Sequence, residues 1–367
     1  MTGLKDFLRR YGVIMTSYVL LACMVWIVLM IVVPQAVMIT YTFWYEDKNL
    51  VGQLYQKIDK NYALLDDLDA RLEEIEEELP EASAAQNAAL KAERDGILVR
   101  QKEVEGLLAE LEARYEKEKK ATYWGARNYE YLLVNEDHRL IFIKTIWASM
   151  LVTLLALVFC YPVAFYLAKV APAERAAMLM LALVIPYWVN ELLRVFAWQM
   201  ILSGRGVLNL VLSLFGFVDI NSFDPPPPNY LGDGGVIVGM IYAYILFMVF
   251  PLYNVIETLD RNQLEAAKDL GAPWWGTHWY VVIPHAKPGI AVGCIMTFML
   301  AAGSYAVPMA LSGGRGQWFT QIIYTWTNET QDMNLGATYA LVLLILCILF
   351  IMGMMRLFRV GLEDIAK

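Results

Sequence analysis

The sequence predicts an all-α polytopic membrane protein of six transmembrane helices, with an antiparallel coiled-coil hairpin inserted in the first extracytoplasmic loop. Three observations lead there. Hydrophobic residues make up 58% of the 367 and charged residues only 18%, below the about 25% charged content of a soluble domain. Six apolar runs are each long enough to cross about 30 Å of hydrocarbon as a helix. The charge is concentrated in one stretch: Glu46 to Arg139 holds 23 acidic and 14 basic residues, whereas the whole chain carries a net −8. The rest of the chain is close to neutral, which argues against nucleic acid as a partner.

The first run, Ile14 to Ile39, carries no charge. It is too long for a signal-peptide core and has no small-residue cleavage site, so it reads as a retained span. Lys5, Arg9 and Arg10 precede it and place the N-terminus in the cytoplasm. Tyr41, Phe43, Trp44 and Tyr45 form an aromatic belt at the outer face, and this first segment comprises residues 1–45.

Residues 46–139 form the extracytoplasmic insertion. Leu65, Leu68, Leu72, Ile75 and Leu79 repeat at 3-4-3-4 spacing in one arm. Leu90, Ile97, Val104, Leu108, Leu111 and Tyr115 follow the same heptad logic in the other. Pro80 and the polar residues after it break the helix between the arms. Each arm reaches roughly 39 Å at 1.5 Å per residue. A solvated spacer and a docking arm for an extracytoplasmic partner both fit this pattern.

Residues 140–367 contain five further runs: Ile141–Leu167, Ala176–Leu202, Val236–Ile256, Ile290–Leu311 and Ala337–Leu357. Lys169, Arg175, Arg261, Lys268, Lys287, Arg356, Arg359 and Lys367 fall in segments that this count puts inside. The segments 203–234 and 312–336 carry only Arg205 and Arg315 as basic residues and lie outside. Both termini are then cytoplasmic. Pro34, Pro162, Pro186, Pro251 and Pro308 each fall within a run and remove a helical hydrogen bond. Gly235-xxx-Gly239 and Gly289-xxx-Gly293 permit close helix contact, and Pro225–Pro228 reads as a stiff outer spacer.

Little in the chain could carry covalent chemistry. No GxxxxGK[ST] occurs, so this chain does not hydrolyse nucleotide through a P-loop. Cys23, Cys160, Cys294 and Cys347 all sit in apolar runs and imply no disulfide framework. His138, His278 and His285 form no metal-ligand spacing. Glu191 and Arg194 are the charges that stand out inside a span, on one helix face at i and i+3. Either they pair and fix packing, or they line a translocation path. Tyr187, Trp188, Asn190 and Trp198 surround them, with Tyr244 and Tyr305 as further path candidates. Aromatic faces beside a carboxylate suit a cationic amine, although aromatics at span ends also serve as interfacial anchors.

One polar stretch interrupts the apolar C-terminal half. Within residues 258–289, Glu265-Ala266-Ala267 opens a helix-favouring run that stops at Gly271, and Trp274, Trp275, Trp279 and Tyr280 follow before Pro284. By local physics it is either a docking helix or a plain interfacial connector. Glu265, Ala266, Ala267, Gly271 and the Val281-Val282-Ile283-Pro284 run resemble the EAA loop of ABC importer permeases. The stretch IPYWVNELLRVFAWQMIL, the following GRGVLN, YAYILFMVFPLYNVIETLD and NLGATYALVLLI are similar to permeases of the spermidine/putrescine type. That resemblance spans Asn128 to about Leu357 and leaves out the insertion.

The resemblance implies a permease subunit of a bacterial inner membrane importer for a polyamine or a related small cationic or zwitterionic solute. Its partners would be a second homologous permease, a cytoplasmic ABC ATPase dimer and an extracytoplasmic solute-binding protein. ATP and Mg²⁺ would be used by the ATPase, with no cofactor in this chain and no enzyme activity of its own. Glu265, Ala266, Ala267 and Gly271 would form the helix that couples to the ATPase. Two other classes stay open: a membrane signalling protein with a coiled-coil sensor arm, and a stand-alone secondary transporter.

Overall fold

The computed structural model of the chain describes residues 2–80, 84–222, 226–314 and 316–361. The expectations resting on Pro225, Arg315 and Lys367, and on the side chains of Lys5, Arg9 and Arg10, lie outside what it describes. Six helices are long and apolar enough to cross a membrane: 12–42, 136–170, 191–214, 233–257, 274–302 and 333–358. Contacts divide the chain into two compact units, 40–128 and the remainder.

In the 40–128 unit, two long helices, Lys48–Glu78 and Ala84–Lys119, run antiparallel. Their contacts fix the direction: Tyr62 donates to Glu112 at 2.6 Å, Arg71 meets Glu93 at 3.1 Å, and Gln101 donates to Asp69. Ile58, Val104 and Leu108 are buried between them, with Leu65, Leu111 and Tyr115 packed alongside. Ile75 and Leu54 are buried as well. Five of the predicted heptad positions, Leu65, Val104, Leu108, Leu111 and Tyr115, fall in this cluster, and Ile58 joins it from before the predicted repeat. Trp44 and Tyr45, two of the residues expected in an interfacial belt, form a short strand against Tyr123–Trp124, pairing Trp44 with Trp124. Asp47 caps the first helix by accepting from the Leu50 amide and ion-pairs with Arg127 at 2.7 Å.

The other unit packs around the second, fourth and fifth spans. One cluster joins Ala156, Cys160 and Ala164 to Val249, Leu252, Ile256, Ala286 and Ile290. A second gathers Val152, Val195, Met240, Tyr244, Val307 and Trp318, and a third joins Phe298 and Phe319 to Tyr339 and Leu343 of the last span. Small residues at the crossings let helix backbones approach, the packing that substitutes for hydrophobic drive within lipid.

Two spans differ from the reading of the sequence. The run expected as one helix over 176–202 is broken: Ala173–Val184 passes into a 3-10 turn at Ile185–Trp188, and a new helix starts at Glu191. Pro186 takes away an amide and Asn190 caps the next helix through its side chain, so two ends meet where one continuous helix was expected. The fifth span starts earlier and ends earlier than 290–311. It covers 274–302, and Ala306–Leu311, with Pro308, is a separate helix.

Two prolines are absorbed inside these helices by wide turns. Pro34 follows the π turn Val28–Val32, and Pro284 follows His278–Val282. A proline ring clashes with the carbonyl four residues back, here Met30 and Tyr280, both within the widened turns. The i→i+5 bonds Val33 to Val28 and Ile283 to His278 carry the helix past the gap.

Candidate functional site

The loop joining the fourth and fifth spans is built around one helix, Arg261–Asp269. Asp260 starts it by accepting from the Asn262 amide at 3.0 Å. Its end is a Schellman turn: the Gly271 amide donates to Lys268 at 2.8 Å and the Ala272 amide to Ala267 at 3.0 Å. Gly271 holds φ at +76°, where a Cβ would meet no atom within 4 Å. Its constraint is backbone conformation rather than space.

No residue of this helix is buried. Glu265 and Ala266 are exposed, Leu264 and Ala267 half-buried, and Leu270 is 88% exposed. Four large aromatics follow on the outside: Trp274, Trp275, Trp279 and Tyr280. Trp274 leans at a tilt on buried His278, with ring centroids 4.3 Å apart.

Three side chains that sequence reasoning left unassigned hold this loop. Lys169, at the C-terminal end of the second span, donates to the carbonyls of Glu257, at 2.9 Å, and Leu259. His285 Nε2 lies 3.0 Å from Thr258 Oγ1 and 3.1 Å from the Val255 carbonyl. Buried His278 meets Tyr161 of the second span at 2.7 Å. Their spacing along the chain carries no signal, because each contact joins residues at least 27 positions apart.

The residues expected to line a path fall in two places. Arg194 does not pair with Glu191 among the described residues. Its guanidinium lies over the Tyr187 ring at 4.3 Å, and its Nε and Nη1 are buried without a hydrogen-bond partner. Tyr187 Oη sits 2.8 Å from the Ala243 carbonyl, tying the broken third span to the fourth. Trp198 packs edge-on to Tyr242 at 5.4 Å and Tyr244 is buried. The cleft between Glu191, Arg194, Trp198 and Tyr242 has no room for a water-sized guest. Trp188, Asn190 and Glu191 remain exposed at the start of the helix.

Tyr305 is the remaining path candidate. It stacks on Tyr324 with ring centroids 4.6 Å apart. Both line a cleft of about 570 Å³ together with Thr327, Asn328 and Leu343. Tyr324 and Asn328 were not singled out in the sequence. The second lies in another π turn, Thr325–Glu329, which brings it round to the cleft.

The family described as "Binding-protein-dependent transport system inner membrane component" matches residues 147–360. The chain is 34% identical over 209 residues to the spermidine/putrescine transport system permease protein PotB of Salmonella typhimurium (strain SL1344), covering 57% of this chain and 69% of that one. It is 30% identical over 231 residues to the inner membrane ABC transporter permease protein YdcU of Escherichia coli (strain K12), covering 61% and 74%. Among solved structures, a bacterial ABC transporter involved in alginate import aligns at TM-score 0.47 and 15% identity, covering 65% of this chain and 84% of that one. The match to the family begins beyond the 40–128 unit and runs over more than half of the chain. This multi-pass inner-membrane chain therefore belongs to the binding-protein-dependent transport system inner membrane components, as a permease subunit of an ABC importer.

Proposed function

We propose that this permease forms the membrane path for a polyamine, spermidine or putrescine, or for a related small cationic or zwitterionic solute. A second homologous permease completes the path in the lipid bilayer, and an extracytoplasmic solute-binding protein delivers the solute. A cytoplasmic ABC ATPase dimer binds ATP and Mg²⁺ and performs the hydrolysis, which this chain does not catalyse. Both termini and the loop 258–273, ahead of the fifth span, face the cytoplasm. The polyamine assignment is supported by the name of the PotB relatives.

The observation that carries the coupling reading is the Arg261–Asp269 helix itself. It is capped at both ends by its own chain, yet buries none of its residues. A short helix held in shape by its own caps, with no residue fully buried, is a surface for another protein. Glu265, Ala266 and Ala267 supply a carboxylate and a small face that seats in a groove, and Gly271 turns the chain back. Closure of the ATPases moves this helix and shifts the spans between inward- and outward-facing states.

Glu191, Trp188 and Asn190 meet the solute at one point of the path and Tyr305 at another. Tyr187, Arg194, Trp198 and Tyr244 shape the wall behind them. The insertion 46–139 is a coiled-coil arm that contacts the binding protein or the partner permease. The test is uptake of radiolabelled spermidine by proteoliposomes holding the assembled complex, with and without ATP. Uptake that needs ATP, the ATPase and the second permease supports the reading. Spermidine uptake by this chain alone would overturn it in favour of a secondary transporter.

A further inference from the structure

The base of the coupling loop is gripped from the second span. Lys169 lies in the π turn Tyr166–Val170 that ends this span, and its ammonium donates to the main-chain carbonyls of Glu257 and Leu259. The Glu257 carbonyl is a terminal one of the fourth span, without a partner in its own helix, and the Leu259 carbonyl lies two residues beyond that end, so the ammonium sits where a cation at a helix C-terminus is favoured. The link is returned by Arg261, which donates to the Lys169 carbonyl at 3.5 Å. Leu259 precedes the helix cap Asp260 and lies six residues before Glu265, so the grip falls at the root of the helix. His285 braces the same root from the fifth span through Thr258 and the Val255 carbonyl, and the Tyr161–His278 contact ties that span to the second. Glu257, Asp260 and Arg261, the charges around Lys169, are all exposed.

We propose that Lys169 is a positioning residue for coupling: it fixes the root of the Arg261–Asp269 helix to the inner end of the second span. Movement of the helix is thereby transmitted to that span instead of being absorbed in the loop. This rests on the reading of that helix as the ATPase contact. A methionine keeps the side-chain stem and removes the donor, while an arginine keeps charge and donors.

The experiment compares Lys169→Met and Lys169→Arg in the assembled complex in proteoliposomes, measuring spermidine imported per ATP hydrolysed. A second readout is the distance distribution between spin labels at Val163 and Gln263, which needs no solute. Lys169→Met should lower the import-to-ATP ratio about tenfold, the scale of losing a charge-assisted hydrogen bond, and broaden the label distance. ATPase activity and assembly should persist, and Lys169→Arg should restore both readouts. An unchanged ratio and a narrow distance in Lys169→Met overturn the proposal. So does a parallel loss of assembly, ATPase and uptake, which marks a merely structural lysine. If the wild type imports no spermidine, the polyamine reading fails, and the label distance still decides the role of Lys169.

Discussion

A Cβ placed on Gly289 would stand 2.6 Å from the carbonyl oxygen of Pro251. The two residues mark the crossing of the fourth and fifth spans. The obstacle is main chain, which cannot rotate away. At Gly239 the nearest obstacle is the Leu311 side-chain tip, which can. Both glycines belong to Gly-xxx-Gly pairs, yet only one is boxed by backbone.

Gly289→Ala should therefore destabilise the assembled permease by about 1–3 kcal/mol, as overpacking does. Gly239→Ala should cost about half of that or less, because Leu311 can change rotamer. Thermal unfolding in nanodiscs ranks the two. Equal midpoints would remove the distinction drawn between them.

At Gly271 the expected effect comes from φ and not from crowding. Gly271→Asn, which tolerates the left-handed region, should keep most uptake, while Gly271→Val should lose it after a penalty of about 1–2 kcal/mol. Both variants should still insert. Gly271→Asp adds a charge at the same open position and should abolish uptake through the contact with the ATPase. Transport assays at matched expression separate these cases.

Arg194 and Tyr187 should be energetically coupled. Tyr187→Phe removes the hydrogen bond to Ala243 but leaves the ring under the guanidinium, at a cost of about 1 kcal/mol. Tyr187→Leu removes both and should cost more. A double-mutant cycle with Arg194→Met should yield a coupling of about 0.5–2 kcal/mol. A coupling near zero would mean that the stack contributes nothing.

Much of this architecture is legible in the sequence because it is local. Span length and apolarity mark the membrane helices, heptads mark Leu65, Ile75, Val104 and Leu108, and Gly271 marks a helix end. The break at Pro186 and Asn190 was hidden because both halves of the run are apolar. The start of the fifth span at Trp274 was hidden because aromatic and proline residues normally flag an interface or a stop. A π turn that carries the helix past Pro284 leaves no pattern in sequence. The grip of Lys169, the Tyr161–His278 contact and the Tyr187–Arg194 stack are tertiary. Periodicity reports which face is apolar, never which distant residue meets it.

In the 40–128 unit the Arg127 guanidinium and the Leu50 amide hold the Asp47 carboxyl below its ordinary value. A carboxyl depressed in the folded state adds stability above its unfolded pKa of about 3.9, and that contribution fades as pH falls through the lower folded value. Asp47→Ala should cost about 1 kcal/mol near neutral pH, mainly as a lost helix cap, since the ion pair is partly exposed and screened by solvent. Hydrogen exchange over residues 48–58 of the full chain should show faster opening in the variant at pH 6. The difference should shrink below about pH 4.

The contact with the ATPase is tested most directly by a photoreactive residue in place of Ala266 in the assembled complex. A covalent adduct should form between permease and ATPase, with a yield that changes when ATP is bound. An ATPase that co-purifies with the permease but forms no adduct from this position, in any nucleotide state, would contradict it.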